Sequence, residues 1–151
     1  MFSNSTSSGK HLICDIKNIK NKTLLGDLEQ LKTLMNDICA KNNYSILQTS
    51  HHRFEPEGFS ILFLLSESHM SIHTFPEKNY IAFDLYTCRT YPDNQIYNTI
   101  YNDLVTNFDA DMDTPMIIDR CFWYTLIWFF KKLYQNPIPI IHKIDFDDAR
   151  K

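Results

Sequence analysis

Two segments of this 151-residue chain carry apolar residues at three- and four-residue spacing, and the runs between them are typical of strands. The amphipathic patterns cover residues 24–38 and 96–108, which predicts two helices that each present one apolar stripe. Because such a stripe must be buried against a second layer, the predicted fold class is α+β, an antiparallel β-sheet packed by two amphipathic helices on one face. Short runs rich in Ile, Leu, Phe and Tyr, punctuated by Pro, Gly or Asn, predict strands at residues 11–16, 44–49, 59–65 and 80–87.

Length and composition favour one packed domain. The chain is 44% hydrophobic and 14% aromatic, which is too apolar for a disordered protein. We interpret residues 1–8 as a flexible N-terminal tail, residues 9–110 as the core, and residues 111–151 as an aromatic-rich C-terminal extension packed on the same domain or at an interface. Within that extension the apolar block CFWYTLIWFF at residues 121–130 is about half of the ~20 residues that a membrane-spanning helix needs, so no membrane contact is expected.

Charge and cysteine usage narrow the function classes. The formal net charge of −3 provides no basic surface for nucleic acid, so a small-molecule partner fits better. The four cysteines have neither metal-site spacing nor the density of a disulfide framework, and no secretory signal opens the chain, which together favour a cytoplasmic location. These cysteines are Cys14, Cys39, Cys88 and Cys121.

The segment LSESHMSIHTFPE at residues 65–77 concentrates groups that can perform chemistry on the backbone. Ser68 follows Glu67 and is followed by His69. A second histidine, His73, lies five residues after Ser68, and the carboxylate residue Glu77 lies four residues after His73. A serine hydroxyl held against the preceding carbonyl can attack it when a base is available. His69 and His73 have the spacing of helical metal ligands, but the segment reads as extended and carries no carboxylate between them, so we expect no metal.

This segment, together with the residues around it, closely resembles the short prokaryotic-type S-adenosylmethionine decarboxylase proenzymes. The resemblance runs from about residue 9 to about residue 108 and includes GKHL at residues 9–12, Phe54, Ser60 and DLYTC at residues 84–88. It implies an S-adenosylmethionine decarboxylase-like sandwich and a zymogen that cuts itself. Asp15, where many relatives have glutamate, departs from the pattern.

The resemblance implies a role for each residue in self-processing. Ser68 would attack the carbonyl of Glu67, and the cut between these two residues would convert Ser68 into a covalent pyruvoyl cofactor. By the same resemblance His73 is the base that removes the Cα proton of residue 68, and Ser60 stabilises the oxyanion. Both assignments are chemically reasonable, since imidazole titrates near neutrality and a hydroxyl can donate to a developing negative charge.

The resemblance also implies how the finished enzyme binds and decarboxylates its substrate. The pyruvoyl carbonyl would form a Schiff base with S-adenosylmethionine, and Cys88 would donate a proton after CO₂ leaves. Phe54 would stack on the adenine, and Glu77 would hold the ribose hydroxyls. The implied assembly is a homodimer of cleaved protomers.

The leading hypothesis is therefore a pyruvoyl-dependent carboxy-lyase that makes decarboxylated S-adenosylmethionine for spermidine biosynthesis. Two alternatives stay open at this point. One keeps the pyruvoyl chemistry but acts on ornithine or arginine, because cofactor formation does not depend on the specificity pocket. The other is an unprocessed homologue that binds a metabolite and regulates a partner.

Overall fold

The computed structural model describes residues 7–121, and the predictions for residues 1–6 and 122–151, including most of the aromatic block, lie outside the described residues. A 3₁₀ turn at Pro76–Lys78 joins two of the strands. The regular elements in chain order are β1 (Ser7–Ile16), α1 (Lys22–Gly26), α2 (Leu28–Lys41), β2 (Ile46–Arg53), β3 (Phe59–Leu65), β4 (Ser68–Phe75), β5 (Tyr80–Thr87), α3 (Gln95–Phe108) and β6 (Met116–Cys121).

The strands form one antiparallel sheet in the order β2-β3-β4-β5-β1-β6. The strands β2 to β5 follow one another as a meander, and β1 then pairs with the far side of β5. This arrangement confirms the predicted α+β class with an antiparallel sheet. It also places β4, the strand that follows Glu67, next to the centre of the sheet.

One face of the sheet packs against the helices. Alternate residues of β1, β3, β4 and β5 point to this face and join the apolar stripes of α2 and α3 in a single core, as the two amphipathic patterns predict. The largest fully buried side chains of this core include Leu12, Met35, Phe63, Phe83, Tyr97 and Phe108.

The first predicted helix is divided at Asp27. This residue is extended, with φ −117° and ψ 109°, and its carboxylate accepts the backbone N–H groups of Glu29 and Gln30 at 2.9 and 3.0 Å. An aspartate that satisfies the free N–H groups of a helix start is a strong N-cap, so α2 begins at residue 28 and the preceding turn becomes the separate α1. The periodicity of leucines continues across this break, which is why the pattern alone does not reveal it.

Strand limits differ from the predictions in two places. The second strand runs from residue 46 to residue 53 rather than from 44 to 49, because Tyr44 is buried in the core before the strand begins. The first strand begins at Ser7, since β6 pairs with it and extends it into the segment predicted as a tail. The β6 strand was not predicted from the sequence.

The opposite face of the sheet, which we call the open face, carries most of the polar side chains of the strands. It presents His11 and Asp15 from β1, His69 and His73 from β4, and Asp84 from β5, each of which alternates with a core residue. The helices within residues 7–121 leave this face uncovered. The open face also contains large exposed apolar side chains, which are Leu62, Leu64, Met116 and Ile118.

Candidate active site

The residues singled out by the sequence fall into two groups at opposite ends of β4. Ser68 begins this strand, and His73 lies near its end. Five residues of extended chain separate them, which corresponds to about 17 Å at ~3.3 Å per residue. We call the group around Ser68 the cleavage group and the group around His73 the cavity group.

The cleavage group is built on a two-residue hairpin turn. Ser66 and Glu67 connect β3 to β4, and Leu65 pairs with Ser68 across the turn. Ser68 has a φ of +150°, a backbone conformation that costs a residue with a side chain about 1–3 kcal/mol. The Glu67–Ser68 peptide bond therefore lies at a strained position, with the Ser68 hydroxyl on its C-terminal side.

The carbonyl of Glu67 accepts a hydrogen bond from the neighbouring strand. The backbone N–H of Cys88, one residue beyond β5, donates to this oxygen at 3.0 Å. A donor held at this distance polarises the carbonyl and can stabilise negative charge on its oxygen. The structure thus brings Glu67, Ser68 and Cys88 together, while Ser60, the predicted oxyanion donor, lies at the other end of the strand pair.

Close packing of β1 holds Cys88 in place. Gly9 has a φ of +132°, and a Cβ atom built on it would lie 2.3 Å from the Thr87 carbonyl oxygen and 2.8 Å from the Cys88 Cα. Both the backbone conformation and the lack of space require glycine here. This requirement gives a physical reason for the glycine of the GKHL motif.

Arg89 anchors the hairpin turn through the Glu67 side chain. Its guanidinium forms an ion pair with the Glu67 carboxylate and donates to the carbonyl oxygens of Asn42 and Asn43 at the end of α2. Burial alone would raise the pKa of Glu67, but hydrogen bonds from Ser66, from the Ser45 backbone and from Arg89 outweigh it and lower the pKa. Near neutral pH the carboxylate is therefore ionised and already engaged by these hydrogen bonds, which makes it a poor base for Ser68.

Cys88 differs from the other two cysteines whose side chains the structure describes. Cys14 and Cys39 are buried in the core, whereas Cys88 is exposed beside the hairpin turn. Burial, with added repulsion from nearby carboxylates, raises the pKa of Cys14 to about 12 and that of Cys39 to about 11. Only Cys88 of these three combines an accessible thiol with proximity to Ser68.

The cavity group contains the other predicted residues. Ser60 on β3 and His73 on β4 are directly paired, and Ser60 Oγ lies 2.6 Å from His73 Nδ1. They line one end of a cavity of about 470 Å³ that also includes Phe54 and Glu77. The cavity is large enough for a nucleoside-sized ligand and is bounded by apolar rings with a few polar groups, as ligand sites commonly are.

Phe54 and Glu77 reach this cavity from two short connections. Phe54 follows β2, its side chain is 46% exposed, and its ring packs edge-on against His52 with centroids 4.8 Å apart. Glu77 is exposed in the 3₁₀ turn, with Lys78 Nζ 3.9 Å from its carboxylate. An exposed ring and an exposed carboxylate in the lining of one cavity are available to bind a ligand.

Asp15, the position that departs from the family pattern, has a partner on the open face. Its carboxylate accepts a hydrogen bond from the hydroxyl of Tyr80 on β5. Burial and this hydrogen bond raise the pKa of Tyr80 to about 12, so the phenol remains a neutral donor. The shorter aspartate is therefore compatible with a satisfied polar pair.

Three features of the site were not predicted from the sequence. They are the backbone N–H of Cys88 as a carbonyl donor, the Arg89–Glu67 ion pair, and a contact between Ser68 Oγ and His69 Nδ1 at 3.3 Å. The first two join residues 21 and 22 positions apart, so no local pattern reveals them. The third feature could have been predicted from the sequence, because the motif places a histidine next to the candidate nucleophile.

Residues 7–121 contain neither a group of metal-ligating side chains nor a membrane-spanning helix. Within this range, no three His, Cys, Asp or Glu side chains come close enough together to hold a metal ion. Over the same residues, none of the helices has the length and apolar character needed to cross a membrane.

Known proteins match most of this fold. A family model described as S-adenosylmethionine decarboxylase matches residues 10–112. An S-adenosylmethionine decarboxylase proenzyme of Thermodesulfovibrio yellowstonii is 40% identical over 80 residues, which are 53% of this chain and 58% of that protein, less than two thirds of its length. An S-adenosylmethionine decarboxylase proenzyme 2 of Bacillus cereus is 42% identical over 88 residues, which are 58% of this chain and 71% of that protein.

The fold also matches a solved structure. The crystal structure of the adenosylmethionine decarboxylase from Aquifex aeolicus VF5 superposes with a TM-score of 0.67 at 22% identity, covering 78% of this chain and 94% of that one. This likeness confirms the predicted architecture. Since the family model spans well over half of the sequence, the chain belongs to the S-adenosylmethionine decarboxylase family.

Proposed function

We propose that this protein is a self-cleaving S-adenosylmethionine decarboxylase that supplies decarboxylated S-adenosylmethionine for spermidine biosynthesis. Cleavage between Glu67 and Ser68 would give fragments 1–67 and 68–151, with a pyruvoyl group formed from Ser68. The observation that carries the proposal is the geometry of this peptide bond. It lies in a strained hairpin turn, and its carbonyl accepts the N–H of Cys88 at 3.0 Å.

Self-cleavage begins with attack of Ser68 Oγ on the carbonyl carbon of Glu67. The Cys88 N–H stabilises the oxyanion that forms, and rupture of the C–N bond leaves an ester between the two residues. A base then removes the Cα proton of residue 68, and the Glu67 carboxylate departs by β-elimination. The resulting dehydroalanine tautomerises and reacts with water to give the pyruvoyl group and ammonia.

The base for the elimination comes from a second copy of the chain. His73 and its partner Ser60 lie about 17 Å from Ser68 in the same protomer, too far for proton transfer. Two open faces can pack against each other around a two-fold axis that lies between the sheets, runs perpendicular to β4 and passes over the midpoint of this strand. This operation reverses the strand direction, so His73 of the partner subunit lies over Ser68.

The chemistry of the open face supports such a homodimer. Sheets that pack face to face lie about 10 Å apart, a gap that side chains from both faces fill. Leu62 and Leu64 are each 46% exposed on this face, and Met116 and Ile118 add further exposed apolar surface. Large apolar patches rimmed by polar residues mark interaction surfaces, and the open face carries one apolar pair on β3 and another on β6. A two-fold dimer would thus complete two equivalent sites.

Turnover uses both groups of residues. The pyruvoyl carbonyl supplies the electron sink for decarboxylation of an amino acid. Cys88 donates the proton that replaces CO₂, since its thiol is exposed and its backbone N–H bonds to the Glu67 carbonyl that precedes residue 68. Phe54 stacks on the adenine, and Glu77 accepts hydrogen bonds from the ribose hydroxyls.

A substrate panel tests this proposal. The cleaved protein should release CO₂ from S-adenosylmethionine and not from ornithine or arginine, and Ser68→Ala should release none. Phe54→Ala should raise KM for S-adenosylmethionine by roughly tenfold to a hundredfold through lost stacking, while Phe54→Tyr should stay near wild type. Cleaved protein that decarboxylates ornithine or arginine in preference would refute the substrate assignment.

A further inference from the structure

Ser68 and His69 are neighbours in the sequence, and their side chains also contact each other. Ser68 Oγ lies 3.3 Å from Nδ1 of His69. We propose that His69 is the general base that accepts the hydroxyl proton of Ser68 in the first step of self-cleavage. This inference rests on the proposed function, because it assigns a residue to the first chemical step of that reaction.

Other bases near the cleavage group are unsuitable. A neutral serine hydroxyl is a weak nucleophile and needs a base within hydrogen-bonding reach. The Glu67 carboxylate is held by Arg89 and the Ser45 backbone, and His73 of the same protomer is about 17 Å away along β4. His73 of the partner subunit acts on the Cα proton in the later elimination, and ester formation in the His73→Ala background tests that it is not needed for the first step. The distance of 3.3 Å to His69 is slightly long, as catalytic contacts often are before the reacting geometry forms.

The imidazole of His69 both accepts and returns the proton in this step. As the bond between Ser68 Oγ and the Glu67 carbonyl carbon forms, the hydroxyl proton passes to Nδ1 of His69. The oxyanion is held by the Cys88 N–H. When the C–N bond breaks, the imidazolium returns its proton to the departing Ser68 amine. The step oxidises and reduces nothing, and it regenerates neutral His69.

The surroundings of His69 keep it in the basic form. The facing titratable and charged groups are His11 on β1, Asp84 and Tyr86 on β5, and Arg120 on β6, while the β3 residue opposite is a leucine. Burial lowers the pKa of His69, His11 and Arg120 lower it further, and Asp84 opposes them without reversing the direction. At neutral pH the ring is therefore uncharged, and accepting the Ser68 proton at Nδ1 requires the tautomer with hydrogen on Nε2.

The central test is the rate of ester formation after a short pulse of cell-free synthesis. The His73→Ala background stops the reaction at the ester, and hydroxylamine then cuts the chain between residues 67 and 68. Adding His69→Ala should slow ester formation at least about 100-fold. Added imidazole should restore it in proportion to its concentration. The matched control is His51→Ala, an exposed histidine of β2, which should leave the rate within about twofold.

A second variant separates base catalysis from ring packing. His69→Phe retains a ring between His11 and Tyr86 but cannot accept a proton, so it should be as slow as His69→Ala. In the His73→Ala background alone, ester formation should rise with pH as His69 loses its proton, with an inflection below the ordinary histidine pKa of about 6.5. The variants lacking His69 should show no such inflection.

Opposite outcomes would overturn the inference. Ester formation at the wild-type rate in His69→Phe, or failure of imidazole to rescue folded His69→Ala, would show that the ring only packs. These results are distinct from failure of the proposed function, in which the wild-type chain itself would remain uncut. Cleavage of wild type with unaffected His69 variants would reject only the role of His69.

Discussion

Co-expression of Ser68→Ala and His73→Ala chains is expected to restore cleavage that neither chain performs alone. In a mixed dimer, one site would combine both defects, and the other would combine intact Ser68 from one chain with intact His73 from the other. The His73→Ala chain should therefore be cut at residue 67 in the mixed dimer and remain uncut by itself. Differently tagged chains, purified through both tags, would isolate the mixed dimer for a denaturing gel.

The matched control mixes two chains that each carry one change in the cavity group, Ser60→Ala in one chain and His73→Ala in the other. Each site of this mixed dimer then has one defect in that group. Mixing should therefore yield no more cleavage than the two chains give separately. Mixed Ser68→Ala and His73→Ala dimers that form but stay uncut would contradict the shared site. Such a result would require His73 to reach Ser68 within one protomer.

Cys88→Ala is expected to separate self-cleavage from decarboxylation. Cleavage should proceed, because the group that contacts the Glu67 carbonyl is the backbone N–H of residue 88, which alanine retains. The rate of CO₂ release from S-adenosylmethionine should fall by about 10²- to 10⁴-fold, the usual contribution of a positioned proton donor. Intact mass would follow cleavage, and a CO₂ assay on the cleaved fraction would follow kcat.

Two results would contradict this account of Cys88. Unchanged kcat in cleaved Cys88→Ala would place the proton donor elsewhere. Complete loss of cleavage in a folded Cys88→Ala chain would make the thiol, rather than the backbone, part of the processing machinery. Cys88→Ser serves as the conservative comparison, since a hydroxyl is a much weaker acid than a thiol.

Local patterns in the sequence predict most of the fold. The leucine stripe of α2 and the mixed aromatic and aliphatic stripe of α3 indicate helices with one buried face, and the runs rich in Ile, Leu, Phe and Tyr at β3 and β5 indicate strands. Asp27 divides the first helix because a local hydrogen bond outweighs the continuing periodicity. The β6 strand depends on pairing with β1, a long-range contact that a short window of sequence does not reveal.

The candidate site was predicted as a set of residues but not as an arrangement. Ser60 and His73 are joined by the register of β3 and β4, and Cys88 reaches Glu67 through the register of β4 and β5. Strand geometry then separates Ser68 from His73 by about 17 Å, a distance that their closeness in sequence conceals. The partition into two groups, on which the proposed second subunit rests, becomes visible only when the strands are paired.

The claim that Ser68 cuts its own chain and becomes the cofactor can be tested by the intact mass of the purified wild-type protein. Two fragments, 1–67 and 68–151, are expected, with the second lighter by one ammonia than a fragment that begins with serine. Ser68→Ala should give one uncut chain. A wild-type chain that stays uncut after prolonged incubation as an assembled dimer, or a cut that persists in Ser68→Ala, would contradict the claim.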